Sequence, residues 1–120
     1  MLVEDEHLVR ELTREILKES GYSVITASNG EEALRVTREF EGRIDLMITD
    51  VVMPRMSGRE LAEHLAVLRP ETKVLYMSGY TDDAIVRHGV LDDQVYFLQK
   101  PFSADLLLMK TRELLDHPVN

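Results

Sequence analysis

The chain has 120 residues, of which 44% are hydrophobic and none is cysteine, and its formal net charge is -8. That length suits one domain (residues 1–120, with 117–120 expected to fray), the apolar content argues against disorder, and the missing cysteines exclude a disulfide frame, a thiolate metal site and a thiol nucleophile. The acidic balance argues against direct nucleic-acid binding, which needs a basic face, while no membrane-length apolar run and no signal-peptide pattern is visible, so a cytoplasmic location without membrane contact is expected.

Met1-Leu2-Val3 reads as a short first strand running into Glu4-Asp5-Glu6. Leu8, Val9, Leu12, Ile16 and Leu17 then repeat at helical spacing, with Gly21 as the expected C-terminal cap. Tyr22 to Ala27 reads as the second strand, and Asn29-Gly30 opens a helix expected to turn Ala33, Leu34, Thr37 and Phe40 inward. Ile44 to Thr49 is the third strand. Ser57-Gly58-Arg59-Glu60 fits a capping box before a helix lined by Leu61, Leu65 and Leu68 and stopped at Pro70. Lys73 to Met77 is the fourth strand. Thr81 is the expected N-cap of a short helix to about His88, ended by Gly89, with Asp82 and Asp83 favouring the positive end of its dipole. Val95 to Gln99 is the fifth strand, and Ser103 caps a last helix carrying Leu106, Leu107, Lys110, Leu114 and Leu115, with Pro118 beyond it.

Strands and helices alternate strictly, five of each. This predicts an α/β fold: a doubly wound, flavodoxin-like parallel sheet in the order 2-1-3-4-5. Ligands of such sheets bind beyond the carboxyl ends of the strands, where the order reverses between strands one and three. Asp5 and Asp50 follow those two strands.

Asp50 ends the apolar run Ile44 to Thr49 and precedes Val51-Val52-Met53-Pro54, so it stands at a strand tip. One such carboxylate is usually structural or solvated. Three converging acids are different, because crowded like charges raise one another's pKa unless a cation neutralises them. Oxygen ligands in an open site suit Mg2+, with Asp5, Asp50 and the backbone carbonyl of Val52 as expected ligands and Glu4 acting through water. Lys100 follows the fifth strand; it is either a counterion of Asp50 or an ammonium that contacts a phosphoryl oxygen during transfer. Ser78, before Gly79, is either a turn residue or a hydroxyl donor to a bound phosphoryl group. Asp50 would be the nucleophile, giving an aspartyl phosphate.

Val3-Glu4-Asp5-Glu6, Ile48-Thr49-Asp50-Val51-Val52-Met53-Pro54 with Gly58, Met77-Ser78-Gly79-Tyr80 and Leu98-Gln99-Lys100-Pro101-Phe102 together resemble the four signature loops of the response-regulator receiver domain. The resemblance covers essentially the whole chain. It implies a phosphoacceptor of a two-component phosphorelay, which takes a phosphoryl group onto Asp50 from a histidine kinase or histidine phosphotransfer domain with the help of Mg2+. It is not a dedicated enzyme, but promotes its own phosphorylation and slow autodephosphorylation. It implies a cis Lys100–Pro101 bond and a switch in which Ser78 and Lys100 are drawn to the phosphoryl group while Phe97 turns inward, altering the face of the predicted fourth helix, the fifth strand and the last helix. Phe97 reads equally well as plain core. The wording of Met77 to Asp83 and Phe97 to Phe102 is similar to receivers at the C-terminus of hybrid sensor kinases, a stand-alone regulator being the rival. A monomer or weak dimer is expected.

Two departures from the family pattern stand out. The first strand is short, and the bulky Val52 and Tyr80 occupy positions that tune dephosphorylation, where they are expected to hinder water and lengthen the phosphorylated lifetime. His7, His64, His88 and His117 lack ligand spacing and read as surface residues, and Met47, Met53, Met56, Met77 and Met109 read as core or loop packing. Two rival functions remain. An aspartyl-nucleophile phosphatase of the haloacid-dehalogenase type would need a general-acid Asp where Val52 stands, and there is no G-x-x-x-x-G-K-[ST] nucleotide loop. A non-phosphorylated interaction module would keep the fold without the chemistry.

Overall fold

The computed structural model describes residues 1–79 and 96–116. Its elements are β1 (Leu2–Val3), α1 (His7–Glu19), β2 (Thr26–Ala27), α2 (Gly30–Glu39), β3 (Leu46–Asp50), α3 (Gly58–Leu68), β4 (Lys73–Ser78), β5 (Tyr96–Gln99) and α4 (Ala104–Asp116). All strands are parallel, in the order β2-β1-β3-β4-β5 expected from the alternation. The predicted fourth helix, with Thr81, Asp82, Asp83, His88 and Gly89, lies outside the described residues, as do Tyr80, His117 and the tail 117–120.

Strand alternation divides the core in two. Leu2, Ile48, Leu75, Met77 and Leu98 pack with Leu17 of α1 and with Leu107 and Leu114 of α4. Val3 and Met47 face the other way, against Ala33 and Leu34 of α2 and Leu61 and Leu65 of α3. β3 is buried at all five positions, as a central strand covered on both faces must be.

The helix starts follow their sequence signals. Asn29 Oδ1 accepts from the Glu32 amide at 2.8 Å, and Ser103 Oγ from the Leu106 amide at 3.1 Å. Ser57 Oγ accepts from the Glu60 amide at 3.1 Å, but the second arm of the box differs: Glu60 Oε1 takes the Ser57 hydroxyl at 3.4 Å. Gly21 closes α1 with φ 96°, a left-handed conformation that glycine adopts without a Cβ penalty. Arg69 follows α3, and its guanidinium donates to the carbonyls of Thr37, Phe40 and Gly42, which lie at and after the end of α2.

The inward assignment of Phe40 is corrected, and part of the helical repeat in α1 and Met109 face solvent. Leu8 and Leu12 are 82% and 65% exposed, because α1 is rotated to bury Thr13 and Leu17, the Thr13 hydroxyl being satisfied by the Val9 carbonyl at 2.7 Å. Phe40 is not core. It lies past the last turn of α2 with the Arg69 guanidinium 6.0 Å from its ring centre. Met109 is exposed, whereas Met47, Met53 and Met77 are buried. β2 pairs with β1 at Thr26 and Ala27, a shorter span than Tyr22 to Ala27.

Candidate functional site

Three chain segments meet at the carboxyl ends of β1, β3 and β5. Alternation from Leu2 turns Glu4 into the fold, where it is fully buried, and leaves Asp5 exposed. Asp50, the last residue of β3, is 4% exposed. Carboxylate oxygens of Glu4, Asp5 and Asp50 lie within 4.8 Å of one another. Lys100 enters from the end of β5, and its Nζ is 2.6 Å from Glu4 Oε1 and 2.6 Å from Asp50 Oδ1. Its backbone amide donates to the Ser78 carbonyl at 2.8 Å, tying this corner to the end of β4, and the Lys100–Pro101 bond is cis.

The loops around the cluster are held by backbone bonds. The Val51 amide donates to the Met77 carbonyl at 3.0 Å, and the Gly58 amide to the Val51 carbonyl at 2.8 Å. Gly58 must be glycine: a Cβ there would fall inside contact distance of the Asp50 carbonyl oxygen. Arg55 holds the intervening turn at φ 68°, an uncommon conformation for a residue with a side chain. Glu4 is anchored twice more, accepting the Glu6 amide at its carboxylate (3.1 Å) and the Arg10 guanidinium at its carbonyl (2.8 Å).

The charges are arranged unequally. Burial pushes the Asp50 carboxyl up to about 8, with the Glu4 carboxylate adding to the rise and Lys100 opposing it. Burial also works to raise Glu4, yet hydrogen bonds with Asp50, Lys100 and the Glu6 amide hold it down at about 2. Burial works to lower the Lys100 ammonium, and the two carboxylates lift it above its usual value. Of the two carboxyls, Asp50 is therefore the one whose surroundings favour holding a proton. Asp50 Oδ2 is buried without a hydrogen-bond partner. An orphaned oxygen in a set of three oxygen donors fits a hard divalent cation, whose charge would displace that proton.

Of the residues named from sequence, Glu4, Asp5, Asp50 and Lys100 are thus brought together. Val52 lies on the loop after β3 and is 54% exposed. Ser78 ends β4, 4% exposed, its hydroxyl 3.3 Å from the Gly79 carbonyl. Tyr96 packs on the core beneath α1 and α4, so Phe97 faces the opposite side of the sheet, where its ring centre is 5.8 Å from that of Tyr76. Sequence reasoning missed two parts. Glu4 grips Lys100 directly, which the alternation from buried Leu2 already signals. Arg10 braces the Glu4 carbonyl from the first turn of α1, and no sequence pattern announces that.

Comparison with known proteins agrees with this geometry. The chain is 40% identical over 116 residues to the sensor kinase CckA of Brucella abortus, covering 97% of this chain and 12% of that protein. It is 30% identical over 115 residues to the response regulator receiver protein CpdR of the same species, covering 96% of this chain and 94% of CpdR. The crystal structure of the receiver domain from the hybrid histidine kinase CckA superposes with a TM-score of 0.80 at 31% identity, covering 96% of each chain. The chain thus spans a small part of one relative and nearly all of another. The response regulator receiver domain matches residues 1–112, and the chain belongs to that family.

Proposed function

We propose that the whole chain, 1–120, is one phosphoacceptor switch of a phosphorelay, with Asp50 as the residue that takes the phosphoryl group. One observation carries the reading: the unpartnered, buried Asp50 Oδ2 beside an ammonium that already serves two carboxylates. Asp50 attacks phosphorus, forming the O–P bond as the P–N bond of a partner's phosphohistidine breaks. The imidazole nitrogen keeps the electron pair and takes up a proton. Lys100 meets the negative charge that develops on the phosphoryl oxygens, and the Ser78 hydroxyl leaves the Gly79 carbonyl to donate to one of them.

Asp5, Asp50 and the Val52 carbonyl would hold Mg2+, with Glu4 acting through water. The ion would supply positive charge to the crowded carboxylates and to the phosphoryl oxygens. Phosphorylation adds about -1.5 to -2 charges and three acceptor oxygens, which draws Lys100 away from Glu4. Phe97 has no hydroxyl, so it reports the change by packing against Tyr76. The 40% identity to a sensor kinase favours a receiver of the hybrid-kinase type, served by a histidine kinase or phosphotransfer domain, in the cytoplasm and as a monomer or weak dimer.

Incubation with Mg2+ and acetyl phosphate tests the reading, with Asp50→Asn as control. A stable, stoichiometric label that the variant lacks is the expected result. Multiple turnover would point to a phosphatase, and no label to an interaction module.

A further inference from the structure

The loop that follows Asp50 contains a turn that needs outside support. The Met56 amide donates to the Pro54 carbonyl at 2.8 Å, and Arg55 between them stands at φ 68°. That is a γ-turn of the positive-φ kind, which is rare and strained, and a strained turn persists only where its surroundings hold it. At the start of α3 the Gly58 amide bonds the Val51 carbonyl at 2.8 Å. Elsewhere the loop reaches the first residues of α2. Arg55 Nε lies 3.9 Å from Glu31 Oε1, a pair too exposed to hold the turn by itself. The firmer contact is that of Met56 with Gly30.

Gly30 opens α2 and is buried. Its backbone conformation does not call for glycine, because among the described glycines only Gly21 has a positive φ. Helix propensity does not call for it either, since alanine is the better helix former. What requires glycine is space. A Cβ at position 30 would lie 2.9 Å from Met56 Cβ, 3.0 Å from its Cγ and 2.7 Å from its Sδ. The sulfur end of a methionine can swing aside, but Cβ is fixed to the loop backbone. Met56 also packs against the core cluster that includes Val3, Ala33 and Leu61, so retreat from Gly30 has a cost of its own.

We propose that Gly30 and Met56 form a latch that sets the loop carrying Val52, which makes Gly30 a positioning residue for the cation site although it contributes no ligand. The inference rests on the reading of the Val52 carbonyl as a Mg2+ ligand. The Met56 side chain, laid on bare backbone, fixes the strained turn, and the turn fixes where the Val52 carbonyl stands. A methyl at position 30 pushes Met56 Cβ, and the loop backbone with it, away from α2. Mg2+ demands near-ideal octahedral geometry, so a displaced carbonyl registers as lost affinity.

A double-mutant cycle on the full chain tests it, with Mg2+ affinity read by titration calorimetry. Gly30→Ala is expected to weaken Mg2+ binding about tenfold. In a Met56→Gly background no Cβ opposes the methyl, and the same substitution should change the affinity less than about twofold. In metal-free protein, Gly30→Ala should quicken exchange of the Gly58 amide about tenfold and leave that of Leu107 in α4 as it is in the parent. An unchanged Mg2+ affinity in Gly30→Ala, equal losses in both backgrounds, or Gly58 and Leu107 exchange shifting together would overturn the latch. A parent chain that binds no Mg2+ would overturn the cation site instead, and Gly58 exchange would still decide the latch.

Discussion

Lys100 and Glu4 are 96 residues apart in sequence, yet the ammonium of one lies 2.6 Å from the carboxylate of the other, and Glu4 has no exposed surface. The same ammonium serves Asp50. Lys100→Met therefore strands two buried acids. The expected loss is about 2–3 kcal/mol of stability at pH 7, less than for a wholly enclosed pair because Lys100 is partly exposed. Glu4 has a depressed folded pKa, so its contribution is full above pH 4.5 and disappears as pH falls toward 2. Urea denaturation of parent and variant should show a gap that closes over that range.

In a chain that begins at Met1, the terminal amine works in the same direction, adding stability as pH rises. Its folded pKa, near 6, lies below the ordinary 8.0, so folding carries the cost of a buried charge below pH 6 and sheds it as the folded amine deprotonates. Stability should rise with pH between about 6 and 8, by up to about 2 kcal/mol. Thermal unfolding of the chain and its N-acetylated form checks this, and acetylation should remove the rise.

Gly58→Ala places a methyl against the Asp50 carbonyl oxygen. Backbone cannot yield as a flexible side chain does, so the loop that carries Val51 and Val52 must shift. A loss of about 1–3 kcal/mol is expected in chemical denaturation, together with weaker Mg2+ binding by titration calorimetry.

Val52 stands exposed on the loop two residues after Asp50, and we propose that it screens an aspartyl phosphate from water. Val52→Ala and Val52→Glu are expected to shorten the phosphorylated lifetime by about tenfold, equivalent to ~1.4 kcal/mol of barrier. Release of phosphate after removal of the donor measures it. An unchanged lifetime in both variants would refute the screening role.

Charge at the ends of apolar runs made the site legible. Asp50 and Lys100 each follow a strand and precede a proline-bearing loop, so parallel pairing alone brings them to one edge. The face of α1 was less legible because threonine reads as polar. Thr13 is buried with its hydroxyl on the Val9 carbonyl at 2.7 Å, while Leu8 and Leu12 of the same helix are exposed. Nor could local pattern reveal that Phe40 ends up beneath Arg69, a contact set by how α2 and α3 pack.

That last contact limits how the two helices can move. One guanidinium gathers three carbonyls from the end of α2 while its own backbone closes α3, so the pair is riveted together at the base of the molecule. Sliding one helix past the other would break every one of these bonds together. A movement of α2 against α3 that keeps these bonds is thus confined to a tilt about Arg69.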